Sequence, residues 1–258
     1  MVVLGDFLIG RRLGVGGMGE VWAGTHRRTQ SSVAIKVITG GRFAEQKWLD
    51  SFRAEVQAVA MMNHPGIIGV YDYGFIPREI EELSLGRFGA DTPYLVMEFA
   101  DKGCLDDILS PTFAQIRRLL GELLAALAHA HARGVTHLDL KPANVLLARD
   151  GEGRARVKLS DFGIAFDAGK LSKGIDTKRF QTMSGTPAYM APEQIMSYWR
   201  DYGPWTDLYA LGCMVWEMCV GEVPFEAASL LLLVQKHLEE DPPTFQPRMQ
   251  VPEGFELW

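Results

Sequence analysis

His137-Leu138-Asp139-Leu140-Lys141-Pro142-Ala143-Asn144 is the stretch whose reading decides the fold. An apolar helical run leads into it, and a short apolar strand candidate, Val145-Leu146-Leu147, leaves it. That arrangement presents three polar side chains together at the mouth of a packed core. The Asp139 carboxylate can take a proton, the Lys141 ammonium can neutralise phosphate charge, and the Asn144 amide oxygen can serve a hard divalent cation. Asp161-Phe162-Gly163 follows 17 residues after Asn144 and supplies a second metal-ligand candidate on a glycine-hinged turn.

Towards the N-terminus, Phe7 to Val21 reads as two strands joined by Gly14-Val15-Gly16-Gly17-Met18-Gly19. Glycines there let the backbone lie over phosphates without a Cβ in the way. A β-branched strand, Ser32 to Ile38, carries Lys36 among apolar neighbours. Ala44 to Met62 has helical spacing with Phe52, Val56, Val59 and Ala60 as its stripe, and Pro65 ends it. Val70 to Phe75 and Tyr94 to Phe99 read as strands, and the charged segment Ile76 to Thr92 between them as a surface insertion. Leu105 to Leu109 is a helix candidate. Ser110-Pro111 predicts the start of a longer helix, whose buried face is Phe113, Ile116, Leu119, Leu120, Leu123, Leu124 and Leu127 and whose end is Gly134. His129 and His131 read as structural.

Towards the C-terminus, Val157 to Ser160 is a strand leading into Asp161, and residues 164–183 are polar and aperiodic. Order returns at Ser184-Gly185-Thr186-Pro187-Ala188-Tyr189-Met190-Ala191-Pro192-Glu193. Trp205 to Val220 predicts an apolar helix capped by Gly221, with Asp207 buried near its start, and Ala227 to Glu239 predicts another helix.

Composition narrows the function classes. Apolar residues make up 47% and charged residues 22%, an ordinary globular balance. A net charge of −6 argues against a nucleic-acid partner. Cys104, Cys213 and Cys219 form no Cys-x-x-Cys pair, which suggests a reducing compartment and no structural zinc. The N-terminus lacks the pattern of a signal peptide. Leu208 to Val220, the longest apolar stretch, has 13 residues and contains Glu217, so no membrane contact is expected from this segment.

Taken in order, the glycine-rich loop, Val-Ala-Ile-Lys, the helix Glu55, His-x-Asp-x-Lys-x-x-Asn, Asp-Phe-Gly, Ala-Pro-Glu and Asp207 with Gly212 resemble the eukaryotic-type (Hanks-type) protein serine/threonine kinases. Gly-Gly-Met-Gly-Glu-Val-Trp and Gly-Thr-Pro-x-Tyr-Met-Ala-Pro-Glu-Gln most resemble the bacterial branch. The resemblance covers residues 5–258 and implies an α+β, two-lobed kinase fold. It has a small β-rich N-lobe with one main helix (1–97), a hinge (98–104) and a larger, mainly helical C-lobe (105–258). It further implies an ATP site from Leu13, Gly14, Gly16, Gly17, Gly19, Val21, Ala34, Lys36, Glu55, Met97, Glu98, Ala100, Cys104 and Leu146. Lys36 would reach the α- and β-phosphates, held by Glu55. Met97 would be the gatekeeper, and the Glu98 to Ala100 backbone would meet adenine. Asn144 and Asp161 would hold Mg²⁺, or Mn²⁺, and Asp139, Lys141 and Thr186 would act in catalysis.

Protein substrates bearing Ser or Thr, a dimer that phosphorylates itself and a cytoplasmic kinase domain, anchored if at all by a segment outside this sequence, complete what the resemblance implies. A pseudokinase scaffold would have lost Lys36, Asp139 or Asp161. A small-molecule phosphotransferase would lack the platform from Thr186 to Glu193.

Two departures from the family pattern set further expectations. Leu138, Phe166 and Ser51 stand where basic residues would bind a phosphorylated activation loop, so activity is expected not to depend strongly on phosphates at Thr182 or Thr177. Glu193 lacks its late arginine partner, and Arg248 precedes the helix that would carry one. The C-lobe is therefore expected to be incomplete at its C-terminus.

Overall fold

The computed structural model describes residues 2–16, 19–39, 46–162 and 187–255, without the side chains of residues 46–49, 51 and 55. The described residues fall into two units, one drawn from 2–16, 19–39, 46–63 and 67–101, the other from 64–66, 102–162 and 187–255.

In the first unit, β1 (Val2–Leu4), β2 (Phe7–Gly16), β3 (Gly19–His26), β4 (Ser32–Ile38), β5 (Val70–Phe75) and β6 (Pro93–Glu98) make one antiparallel sheet. Its order is β1-β2-β3-β4-β6-β5. Residues 33–38 of β4 are all buried, which suits its β-branched run between two neighbouring strands. Helix α1 (Gln46–Ala60) joins the sheet through Phe52 and Val56, clustered with Ile38 and Leu95. Val59 is buried too, but Ala60 is exposed, so the apolar stripe stops one residue earlier than its spacing predicts.

The segment 76–92 is more than a surface insertion. It contains a short helix, α2 (Arg78–Leu83), and it sends Ile76 and Phe88 into the main sheet core. Phe88 meets Trp22 edge-on at 5.1 Å, and the Arg87 guanidinium covers the same indole at 5.2 Å. Each buried large apolar side chain of this kind contributes about 1.5–3 kcal/mol relative to exposure. The aperiodic stretch around Phe88, with glycines on both sides, hid that anchor from a reading of periodicity.

The second unit is mainly helical. It holds α3 (Phe113–His131), the hairpin β7 (Val145–Arg149) and β8 (Ala155–Leu159), and α4 (Pro192–Ile195), α5 (Pro204–Val220) and α6 (Leu230–Glu239). The α+β expectation, with a β-rich first unit and a helical second one, holds. Thr112 rather than Ser110 caps α3, exchanging hydrogen bonds with Gln115 in a capping box. Ser110 instead takes a left-handed turn at φ +53°. The helix expected over Leu105 to Leu109 is a single 3₁₀ turn, Leu105–Asp107. No helix among the described residues is long and apolar enough to cross a membrane.

Gly221 ends α5 at φ +88°, the left-handed cap conformation that favours glycine, with the Arg248 guanidinium packed over it. Arg248 N–H donates to the Cys219 carbonyl at 2.8 Å, which assigns Arg248 to the end of α5. Glu193 is met by Thr206, whose hydroxyl donates to its carboxylate at 2.6 Å.

Candidate active site

Helix α3 delivers the chain to the site. In its last turn His131 Nε2 lies 2.7 Å from Asp207 Oδ2. The backbone then reverses at Gly134 (φ +72°) and reaches His137, which is fully buried. His137 Nε2 sits 2.8 Å from the Ser160 carbonyl, an acceptor, so this nitrogen carries the proton. Its Nδ1 is then left to accept the Asp139 N–H at 3.4 Å. The ring also rests against Phe162, with centroids 4.6 Å apart.

Leu138 follows with φ +62°, a left-handed conformation that costs a branched L-residue about 1–2 kcal/mol. Buried side chains hold it there. Asp207 accepts the His137 N–H at 2.8 Å and the Leu138 N–H at 2.9 Å. Gln194 Nε2 donates to the Leu138 carbonyl at 2.8 Å. The strained residue thus has a fixed amide on one side and a fixed carbonyl on the other.

Asp139 emerges from that clamp. Lys141 Nζ donates to both of its carboxylate oxygens, at 2.8 and 3.1 Å. Asn144 Nδ2 donates to Asp139 Oδ2 at 2.9 Å and to the Asp139 carbonyl at 2.7 Å. Burial pushes the Asp139 carboxyl above the usual carboxylate range, against the opposing pull of Lys141. The result is a largely buried carboxylate with raised proton affinity, held in one orientation.

The same turn ties the Asn144 backbone to the residue that precedes Asp161. Ser160 N–H and Oγ donate to the Asn144 carbonyl at 3.0 and 3.1 Å, and Asp161 is the next residue. Asp161 is itself left-handed, at φ +59°. The Asn144 amide nitrogen is spent on Asp139, so its oxygen is the side-chain atom that can face a cation. An amide oxygen and a carboxylate are hard donors of the kind that suit a small divalent metal completed by phosphate oxygens and water.

Within the first unit, Lys36 lies on β4 opposite Val21 and Leu95, 7% exposed, and Ala34 pairs with Met97. Gly19 is needed by the fold: its φ is +142° and a Cβ would strike the Val37 carbonyl. Gly14 and Gly16 are different. Neither has a positive φ, and an added Cβ would meet nothing within 4 Å. Open space above a glycine backbone is what a phosphate cradle requires. Leu13 borders them, 37% exposed. Glu98 N–H donates to the Gly69 carbonyl at 2.8 Å, and Ala100 is half-buried just beyond.

In the second unit, Cys104 and Leu146 form an isolated antiparallel bridge. The Cys104 N–H donates to Asp107 Oδ2 at 2.9 Å. Burial raises the Cys104 thiol, and Asp107 and Asp106 add to the rise, which outweighs the opposing pull of the Asp106 backbone N–H at the start of the turn. Gly17, Thr186, Phe166, Thr177 and Thr182, and the side chains of Glu55 and Ser51, lie outside the described residues. Gln194 is the contributor to this site that the sequence reading passed over. It stands next to Glu193 in a recognisable motif, but no periodicity marks a glutamine aimed at a carbonyl 56 residues earlier.

Comparison with known proteins follows the same lines. The family model described as protein kinase domain matches residues 7–252. The serine/threonine-protein kinase PknA of Mycobacterium tuberculosis is 35% identical over 247 residues, spanning 94% of this chain and 53% of PknA. Pkn1 of Myxococcus xanthus is 36% identical over 245 residues, 93% of this chain and 32% of Pkn1. PknJ of M. tuberculosis is 34% identical over 255 residues, 96% of this chain and 40% of PknJ. This chain therefore spans about half or less of the length of these relatives. With that match across nearly its whole length, the chain belongs to the protein kinase domain family.

Proposed function

We propose that this chain transfers the γ-phosphoryl group of ATP to serine and threonine hydroxyls of protein substrates, its own chain included, in a signalling role. The observation that carries the reading is the Asp139 carboxylate, of raised proton affinity, fixed by Lys141 and Asn144. In the proposed reaction the substrate hydroxyl oxygen bonds to the γ-phosphorus and the bond to the β–γ bridging oxygen breaks. ADP leaves, and the hydroxyl proton passes to Asp139. Lys141, bonded to Asp139, offsets negative charge on the migrating group. Lys36 does the same for the α- and β-phosphates, and Gly14 and Gly16 leave their backbone open above them. Asn144 and Asp161 would hold Mg²⁺, with Mn²⁺ as a substitute; the ion supplies charge neutralisation at the phosphates.

Residues 1–97 are assigned as the N-lobe, 98–104 as the hinge and 105–258 as the C-lobe, with a cytoplasmic location. Self-phosphorylation would proceed in a transient dimer. The presence of Lys36, Asp139 and Asp161 favours this reading over a scaffold without activity.

Incubation with Mg-ATP and a generic protein substrate tests it. Phosphate transfer should fall by about a thousandfold in Asp139→Asn, within the range a general base commands. Equal transfer by the two proteins, or none by either, would reject the reading.

A further inference from the structure

We infer that Gln194 is a positioning residue for the catalytic aspartate, acting through the Leu138 carbonyl; this rests on the phosphoryl-transfer reading above. Gln194 is 5% exposed and uses both ends of its amide. Its Oε1 accepts the Ala191 N–H at 3.2 Å, and its Nε2 donates to the Leu138 carbonyl at 2.8 Å. The first bond fixes the amide's orientation, so the second comes from a donor whose direction is already set.

Leu138 needs such a donor. It holds φ +62° without being glycine, and the peptide that leaves it is the one that carries Asp139. Asp207 fixes the peptide that enters Leu138, through the Leu138 N–H. The peptide on the carbonyl side has a long hydrogen bond of 3.4 Å from its N–H to His137 Nδ1 and a short one of 2.8 Å from Gln194 to its carbonyl, so Gln194 is its closer restraint. Rotation of that peptide swings the Asp139 Cα and moves its carboxylate off Lys141 and Asn144. Gln194 is itself well anchored. Its neighbours Met190 and Ile195 share a buried cluster with Val234 of α6, so the donor is carried by packed core. The loop's orientation is thereby tied to α4.

A small cavity of about 20 Å³ adjoins the bond, bordered by Leu138, Asp139, Tyr189, Gln194, Thr206 and Asp207. That is room for one water. Truncation to alanine would admit water to the Leu138 carbonyl and blur the result, so the informative variants keep the glutamine's length. Gln194→Met fills the space and removes both hydrogen bonds. Gln194→Glu keeps the acceptor for Ala191 N–H and loses only the donor. Placed beside a carbonyl and near Asp139 and Asp207, the new carboxyl has every reason to titrate above the ordinary range. In its neutral form it regains an O–H donor for Leu138.

The experiment measures steady-state kcat and the KM for ATP of the wild-type chain, Asp139→Asn, Gln194→Met and Gln194→Glu between about pH 6 and about pH 8. Expected is a fall in kcat of about ten- to a hundredfold in both glutamine variants at the alkaline end, with KM for ATP within about twofold of wild type. Acidification should restore Gln194→Glu towards wild type and leave the Gln194→Met ratio flat. A general loss of structure would move KM and would not recover in acid. Wild-type kcat retained in Gln194→Met, or a Gln194→Glu deficit that does not change with pH, overturns the role of Gln194 while the kinase reading stands. Wild-type transfer no greater than that of Asp139→Asn overturns the kinase reading, and the positioning role with it.

Discussion

Lys141 Nζ lies 2.8 Å from Asp139 Oδ2 and 3.1 Å from Oδ1, so one ammonium spans the whole carboxylate of the proposed base. Burial raises that carboxyl and Lys141 opposes the rise. The base works only when ionised, so activity is lost as pH falls through the value the two influences set. Lys141→Met removes the opposing influence. The acid limb of the kcat profile should therefore move to higher pH, and plateau kcat should fall by about a hundredfold. An acid limb in the same place in both proteins would show that Asp139 is not the group titrating there.

His237 sets a second pH dependence, in stability rather than rate. It is buried on α6, with Nδ1 2.7 Å from the Tyr209 hydroxyl and its ring 4.9 Å from that of Phe225. Its Nε2 has no hydrogen-bond partner among the described residues. Burial lowers its pKa from 6.5 to about 4. Between those values the unfolded chain binds a proton that the folded chain refuses. Stability contributed by the neutral ring is complete above pH 6.5 and declines as pH falls towards about 4. The loss is at most about 3 kcal/mol. His237→Phe does not titrate. Calorimetry of both proteins should show wild type losing about 5 °C or more relative to the variant across that range. A constant difference in Tm would refute the assignment.

The strained stretch from His137 to Asn144 was legible because its chemistry is written in residue types at fixed spacing. Asp139, Lys141 and Asn144 are polar residues in apolar surroundings, and the fold closes them on one another. Asp207 was legible for a related reason, as a carboxylate in a strongly apolar helix. Gln194 was not, because its partner is a backbone carbonyl, and carbonyls are the same in every residue. Phe88 and the Thr112 cap escaped for local reasons. Phe88 sits between glycines in an aperiodic stretch, and Ser110 offers a cap that the left-handed backbone at that residue refuses. Sequence patterns report faces and spacings; they are silent on which backbone group a lone side chain will find.

Leu138 also bears on regulation. Its left-handed conformation is held by hydrogen bonds to Asp207 and Gln194. With Leu138, Ser51 and Phe166 all uncharged, a phosphate on the segment after Asp161 finds no paired cation at those positions. The proposed kinase is therefore expected not to depend strongly on phosphates at Thr177 and Thr182. The double variant Thr177→Ala with Thr182→Ala should keep kcat within about threefold of wild type, because no charge-assisted contact is lost. Loss of activity in a folded double variant would show that a phosphate is needed after all.

The three cysteines divide by exposure. Cys213 is 4% and Cys219 0% exposed, both inside α5, and burial pushes the Cys213 thiol up to about 12. Cys104 is half-buried at the start of the Leu105–Asp107 turn, and its thiol is raised as well, by burial and by Asp107 and Asp106. None is an activated thiol, so access rather than thiolate fraction decides the order of reaction. Cys104 should be alkylated first by iodoacetamide, slowly, and faster as pH rises. The proposed ATP site includes Cys104 at its lip, so Mg-ATP should slow that labelling. Mass-spectrometric mapping of adducts with and without nucleotide reads both parts. Faster labelling of Cys213 or Cys219 would contradict the burial of α5, and a Cys104 rate indifferent to nucleotide would remove this residue from the proposed ATP site.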